Sequence, residues 1–329
     1  MAYPTSGKKM LSICILDILK KYTDCDHTMD QKDIMRKLTE DYDITVDRKS
    51  IKANLDCLFD YGYEIECTKT ERIKKDGTKE IITSNWYYNH EFDDSELRMM
   101  IDSILFSKTI PAGQASELIK KIAGLSNIYF TNKMTHVSSL PGLEHTSNQQ
   151  TLYNVGLIDD AISEKKQISF VYNNYWEDKK LHPRREEPYI VNPYQMVAND
   201  GKYYLVCNYD KYDTLSNYRV DKMTQVKIIN KPAKKRDKVK GMEHGLNLPK
   251  HMAEHIYMFA DEPVTIILRV KKSAISDIVD WFGSNFDVVD ESIARQYDGF
   301  RETTDAVTYV RLVCSRQAMS HWAMQYGTC

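Results

Sequence analysis

The chain has 329 residues, with Lys+Arg 45 against Asp+Glu 47 and a formal net charge of −2. That length accommodates two or three domains, at roughly 100–200 residues for each independent core. The balanced charge excludes a uniformly basic coat, so any nucleic-acid contact has to come from a local patch; no apolar run approaches the ~18 residues of a membrane span.

Leu11, Cys14, Ile15, Ile18, Leu19 and Tyr22 recur at helical spacing and predict a first helix. A second opens at Thr28-Met29-Asp30-Gln31 and buries Ile34, Met35, Leu38 and Tyr42. A third starts on Asp47, a good N-cap, and runs through Ile51, Leu55, Leu58 and Phe59 until Gly62 stops it. Tyr63, Ile65 and Cys67 then alternate with polar residues, Asp76-Gly77 marks a tight turn, and 81–88 is rich in β-formers, which predicts a hairpin. Three short helices followed by a hairpin make a winged helix-turn-helix, expected over residues 1–92.

In that arrangement Arg48, Lys49, Ser50, Lys52 and Asn54 occupy the first turns of the helix that enters a major groove. Lys69, Arg72, Lys74, Lys75 and Lys79 lie on the hairpin, placed to hold flanking phosphates. Glu64, Glu66, Glu71 and Asp76 interleave with them, so solvated charge on a small helical domain is the competing reading. The order of capped basic helix and basic hairpin favours double-stranded DNA. The stretch VDRKSIKANLDCLFDYGYEI, residues 46–65, resembles the recognition-helix segment of DeoR-like regulators, with Asp47, Ser50, Ile51, Leu55, Leu58 and Gly62 in the matching places. Ala53-Asn54 stands where that family carries Arg-Asp.

Residues 93–150 predict a helical connector. Phe92 to Glu96 caps a helix burying Leu97, Met100, Ile101, Ile104 and Leu105. Pro111 starts another, with Leu118, Ile119, Ile122 and Leu125 on one face, and 138–150 is a polar loop. Such helices either dimerise or form a packing layer. A helix over 152–162 then leads into strands over 168–172, 187–196, 203–206 and 218–228, with a turn at Asn199-Asp200-Gly201. Short strands in this density suggest a small barrel or a strongly bent sheet over 151–230.

Tyr203-Tyr204-Leu205 after the Gly turn, Tyr218-Arg219-Val220-Asp221-Lys222-Met223, Phe170-Val171-Tyr172 and Pro193 resemble the WYL domain. Tyr203 stands for its Trp and Lys222 for an Arg. The resemblance implies an Sm-like small β-barrel that senses a ligand, in some members a nucleotide or single-stranded nucleic acid. Tyr204 and Arg219 then offer a stacking face and a guanidinium, and Tyr172, His182, Arg184 and Arg185 could complete a cationic effector pocket. In the alternative, Arg219 pairs internally with Asp221; Tyr203 and Leu205 are expected in the core.

Residues 231–262 read as a basic linker and short helix, with Lys231, Lys234, Lys235, Arg236, Lys238 and Lys240 solvated or touching nucleic acid. His251-Met252-Ala253-Glu254-His255 spells the H-x-x-E-H order of one zinc-peptidase class, but a third ligand is missing. Over 263–329 a β-α-β-β-α order suggests a ferredoxin-like domain resembling the WCX extension of WYL regulators. That family continues with another strand and helix, so a truncated C-terminal domain with an unpaired edge is expected. The seven cysteines, Cys14, Cys25, Cys57, Cys67, Cys207, Cys314 and Cys329, form no C-x-x-C pair and sit mostly in apolar runs, as buried free thiols of a reducing cytosol do. Cys25 and His27 lack further partners at metal-ligand spacing, so a loop is expected there.

The whole predicts an α+β, multidomain, cytoplasmic protein resembling bacterial WYL-domain transcriptional regulators. Such a protein is a homodimer on a double-stranded DNA operator, answering a nucleotide or single-stranded nucleic-acid effector. No P-loop, G-x-S-x-G or paired-carboxylate frame occurs, so neither an enzyme nor a cofactor nor a metal is expected. Two alternatives stand: a WYL nucleic-acid-binding accessory protein of a defence system, and a zinc hydrolase at His251, Glu254 and His255.

Overall fold

The computed structural model describes residues 10–134, 145–243, 245–297, 299, 301, 302 and 306–326. Much of the loop expected over 138–150, and the Cys329 end, lie outside the described residues. The chain divides into two compact units, Met1–Phe106 with Ala112–Glu144 and Ser107–Pro111 with His145–Cys329. The expected connector is thus divided between them.

In the first unit α1 (Leu11–Tyr22), α2 (Gln31–Tyr42) and α3 (Arg48–Asp60) pack around buried Ile15, Ile18, Leu19, Ile34, Leu38, Ile51 and Leu55. Asp47 caps α3 by accepting the Ser50 N–H at 2.8 Å, and Gly62, at φ +84°, takes the left-handed conformation just past its end. β1 (Ile65–Ile73) and β2 (Lys79–Tyr88) form an antiparallel ribbon longer than the sequence pattern implies. A register shift between Glu66 and Thr68 faces Asn85, whose φ is +53°. This bulge turns Trp86 into the core, where its N–H and carbonyl both bond Met29 at 2.8 Å. Phe59, expected on the buried side of α3, is exposed because Ile51, Leu55 and Leu58 already fill that face.

α4 (Asp94–Leu105) opens on a capping box between Asp93 and Glu96. With α5 (Ala112–Ala123) and α6 (Ile128–Lys133) it buries Leu97, Ile101, Leu105, Ile119 and Phe130. Leu125, expected in that face, is exposed, because α5 ends at Ala123 and the face is completed by Ala115 and Ala123.

In the second unit α7 (Thr151–Ser163) contributes Ile158 and Ala161 to the core of a curled antiparallel sheet. Its strands are β3 (Lys166–Tyr175), β4 (Leu181–Pro183), β5 (Tyr189–Asn199), β6 (Lys202–Tyr209), β7 (Leu215–Arg219) and β8 (Met223–Pro232). Neighbours run β4-β3-β5-β6-β7, and β8 returns to pair with β3. The single strand expected over 218–228 is two strands, parted by a 3-10 turn at Val220–Lys222.

Residues 231–262 are not a solvated linker. Val239 and Met242 are buried with Tyr194, and Arg236 donates to the Tyr194 carbonyl at 2.8 Å. Lys231 pairs with Asp210 at 3.1 Å, and Lys240 with Glu262. The segment straps the sheet through buried Val239 and Met242, while Lys231, Lys235, Lys238 and Lys240 are exposed. α8 (Leu248–Glu254) follows, and then β9 (Pro263–Lys271), α9 (Ile275–Phe282), β10 (Phe286–Val289), α10 (Glu291–Ala294), β11 (Val307–Ser315) and α11 (Arg316–Tyr326). The three strands are antiparallel in the order β10-β11-β9, over a core of Ile278, Phe282, Val310, Leu312 and Trp322. Short α10 is an addition to the expected β-α-β-β-α order. Of the cysteines, Cys14, Cys207 and Cys314 are buried, whereas Cys25 and Cys57 are exposed. Cys57 lies on the outer side of α3, where an amphipathic helix does not bury it.

Candidate functional site

The α3 surface separates cleanly by face. Ile51, Leu55 and Leu58 point into the head, while Arg48, Lys49 and Lys52 are exposed and in no ion pair among the described residues, with Lys49 near enough to the Asp47 carboxylate to help the Ser50 hydrogen bond lower its pKa. Ser50 is half-buried beside the Asp47 cap. Asn54 does not join this set. Its Oδ1 accepts from Ser12 and its Nδ2 donates to the Ser50 carbonyl at 2.7 Å, so the amide is consumed in fastening α3 to α1. It sits on the flank of the helix toward α1, which is why it bonds there. On the ribbon, Arg72 and Lys75 are exposed without an acidic partner among the described residues. Lys79 pairs with Glu71 at 3.0 Å and Lys74 with Glu80 at 3.7 Å, while Lys69 lies 5.0 Å from the centre of the Phe59 ring.

The second cluster forms where β7 passes into β8. Three amides hold that turn: Asn148 donates to the Asp221 and Met223 carbonyls at 3.0 and 2.6 Å, Asn154 to Met223 at 2.9 Å, and Asn173 to Lys222 at 2.9 Å. The turn fixes Arg219, Asp221 and Lys222 in sequence. Arg219 closes on Asp221, and Tyr204 lies across from it in the β6–β7 register. The Tyr172 hydroxyl accepts the Arg219 backbone N–H at 3.4 Å, and the Tyr172 carbonyl accepts that of Arg184 at 2.8 Å. Tyr172, Arg184, Tyr204 and Arg219 are therefore brought together.

Their roles differ from those expected. Tyr204 is not an open stacking face, because its outer side is buried against Val197, Val206 and Met258. Tyr203 and Leu205 pack on the other side, against the sheet core, as core residues. Tyr172 stands among the rings of Phe170, Tyr189 and Tyr218, and burial pushes its hydroxyl up to about 12. Arg185 is diverted from the pocket: its guanidinium lies 3.6 Å over the Tyr189 ring and donates to the Glu187 and Pro188 carbonyls at 2.9 Å. His182 stacks on Trp176 at 4.4 Å and bonds Asp178 at 2.8 Å, so it belongs to the β3–β4 hairpin.

Lys222, absent from the expected effector set, lies with this cluster. Burial lowers the affinity of its amine for a proton, Arg219 lowers it further, and Arg184 and Lys202 act in the same direction against Asp221 alone. Its place in the motif, as the cation after Asp221, was the available signal. Lys202 is already paired with Asp200 at 2.7 Å, and the three remaining cations, Arg184, Arg219 and Lys222, can hold an anion, with Arg219 supplying a planar donor edge.

His251 and His255, their rings 4.5 Å apart, are buried at and just beyond the end of α8. His255 donates Nδ1–H to the Phe259 carbonyl at 2.7 Å. Among the described residues no group of three or more His, Cys, Asp or Glu is placed to hold a metal ion. His251, Glu254 and His255 are thus not brought together as a three-ligand set among the described residues. Likewise Cys25 and His27 make no metal pair: His27 bonds Asp24 at 2.8 Å and lies flat on Tyr129.

Residues 154–228 match the WYL domain family, which covers α7 and the curled sheet through β8. No curated protein matches the chain. Among solved structures, the proteasome accessory factor B/C (PafBC) of Arthrobacter aurescens aligns with 12% identity and a TM-score of 0.29. The alignment covers 95% of this chain and 45% of that one, so the chain spans less than half of that structure's length. Among the described residues no helix is long and apolar enough to cross a membrane.

Proposed function

We propose that this protein is a ligand-responsive, DNA-binding transcriptional regulator, in which a winged helix-turn-helix reads an operator and the WYL region senses an anionic, nucleotide-like or nucleic-acid effector. One observation carries the reading: Arg48, Lys49 and Lys52 stand exposed on the outer face of a capped third helix, and none of them is held in an ion pair among the described residues. A groove-entering helix needs that arrangement, since a base or phosphate contact requires a cation that no neighbouring carboxylate already occupies. The ribbon adds Arg72 and Lys75 for flanking phosphates. Homodimerisation would set the spacing of two half-sites, and effector binding would shift the population of DNA-competent dimers. The tail, with its β10-β11-β9 sheet, corresponds in this reading to the WCX extension.

The test is a mobility-shift assay on operator fragments recovered by mapping bound genomic sites. Arg48→Ala with Lys49→Ala should weaken binding by about 1–3 kcal/mol per lost base contact while the circular dichroism spectrum stays unchanged. Undiminished binding would overturn the assignment of α3. Separately, Lys222→Ala and Arg184→Ala should leave basal DNA affinity intact and abolish the effector response.

A second reading makes single-stranded nucleic acid the cargo of the WYL region, in an accessory protein of a defence system. Exposed Trp176, stacked on His182, favours it by offering an open ring on the hairpin that leads to Arg184. Tight single-strand binding together with indifference to duplex in the full chain would select it.

A further inference from the structure

We propose that Asp56 is a specificity-determining residue of α3 that reads a cytosine in the major groove, an inference that rests on α3 being the helix that enters DNA. Helix periodicity places it. Ile51, Leu55 and Leu58 turn one side of α3 into the head, and Lys49, Lys52, Ala53 and Asp56 lie along the outer side. Their i, i+3, i+4, i+7 spacing is the one at which a groove-docked helix presents side chains to bases.

Charge changes sign along α3. Arg48, Lys49 and Lys52 are exposed in its first half, whereas half-buried Asp56 and exposed Asp60 stand in its second. The Asp56 carboxylate accepts no hydrogen bond and joins no ion pair among the described residues. Lys52, one turn earlier, is not paired with it, and Lys69 lies over the Phe59 ring. On β1, burial raises the Cys67 thiol and the Asp56 charge raises it further, so the carboxylate is felt from the ribbon without being bonded to it.

A carboxylate on a docked helix has to meet a base donor, because phosphates repel it. Guanine and thymine present only acceptors or a methyl group to the major groove, whereas cytosine and adenine present amino groups. Adenine sets the N7 acceptor beside its amino group, where it repels the second carboxylate oxygen; cytosine has no acceptor beside N4. Cytosine is therefore the base that satisfies Asp56, while Lys49 suits the N7 and O6 acceptors of guanine. From Lys49 to Asp56 the helix rises about 10 Å, or about three base-pair steps. Ala53, between them, carries only a methyl group, so the helix can sit close to the groove floor.

The experiment is selection from a randomised duplex library by the full chain, followed by affinity measurements on the selected duplex and its single-base variants. The parent is expected to select a cytosine about three base pairs from a guanine. Asp56→Asn should move the preference at that one position from cytosine to adenine, because an amide pairs with adenine N6 and N7, changing relative affinity about tenfold. Asp56→Ala should flatten the preference there. Asp60→Asn, one turn further on, is the control for charge alone and should raise affinity for all duplexes alike. An Asp56→Asn chain that keeps the parent's preference, or gains affinity on every duplex as Asp60→Asn does, overturns the inference and leaves Asp56 a solvated neighbour of Lys52. If Asp56→Asn fails to fold, Asp56→Ala decides by whether the preference flattens. Undiminished duplex binding in Arg48→Ala with Lys49→Ala overturns both this inference and the assignment of α3. Weakened binding in that double variant, with an unchanged preference in Asp56→Asn, overturns the role of Asp56 alone.

Discussion

Arg219 closes on Asp221 through two bonds, Nε at 3.0 Å and Nη2 at 2.7 Å, and the carboxylate it meets is 1% exposed. The pair is both a structural tie and part of the basic cluster. The guanidinium keeps further N–H donors for an anion, while the carboxylate depends on it for neutralisation.

Removing the arginine should therefore destabilise the protein, not simply silence it. Arg219→Ala leaves a charge buried without compensation, and a loss of about 3 kcal/mol is expected in urea unfolding. The double change Arg219→Gln with Asp221→Asn removes both charges and should cost distinctly less. Equal losses in the two variants would show that the buried carboxylate is not the source. The effector response is accordingly better probed at Lys222 and Arg184, neither of which is in an ion pair among the described residues, although Asp221 acts on Lys222.

The ribbon makes a quantitative prediction about salt. Each cation that neutralises a phosphate contributes about one to the slope of log affinity against log salt concentration. Arg72→Ala and Lys75→Ala should each reduce that slope by about one, whereas Lys74 and Lys79, engaged by Glu80 and Glu71, should contribute less. Slopes measured between low and moderate salt check this, and four equal reductions would show that the ion pairs open on binding.

The head was legible in the sequence because its signals are local. Asp47, Gly62 and Asp76-Gly77 act through caps and turns a few residues long, and each occurs where the pattern places it. The Trp86 bridge to Met29 was not legible, since it depends on a bulge that pairs residues far apart in the chain. The same limit applies to the pocket. The motif around Arg219 was readable, but the fate of Arg185 and Tyr204 is decided by Tyr189 and by the strap, which only folding brings near. The packing of the strap was not legible because Val239 and Met242, which bury it against Tyr194, stand among lysines that are mostly exposed.

Asn54 separates fold from recognition in α3. Because both ends of its amide are bonded within the head, Asn54→Ala should lower stability by about 1 kcal/mol and leave operator preference unchanged. Denaturant unfolding alongside binding to a set of single-base operator variants tests both halves. A shifted base preference with unaltered stability would return Asn54 to the DNA-contacting set.

His251 gives the protein an acid sensitivity whose sign follows from its environment. Burial, reinforced by the charge of His255, lowers it from its ordinary 6.5 to about 4. Above pH 6.5 the imidazole is neutral whether the chain is folded or not, and the group contributes nothing to the pH dependence. As pH falls below 6.5, the unfolded chain takes up a proton that the folded chain refuses, so stability drops with acidification until about pH 4, where the folded form protonates too. Across that window the loss amounts to about 3 kcal/mol. His251→Phe fills the same space without a titrating group and should remove this component. The quantity to measure is the difference in urea-unfolding free energy between parent and variant, at about pH 7 and about pH 4.5. The parent should lose more on acidification than the variant does; parallel loss would show that the imidazole is solvated in the folded state.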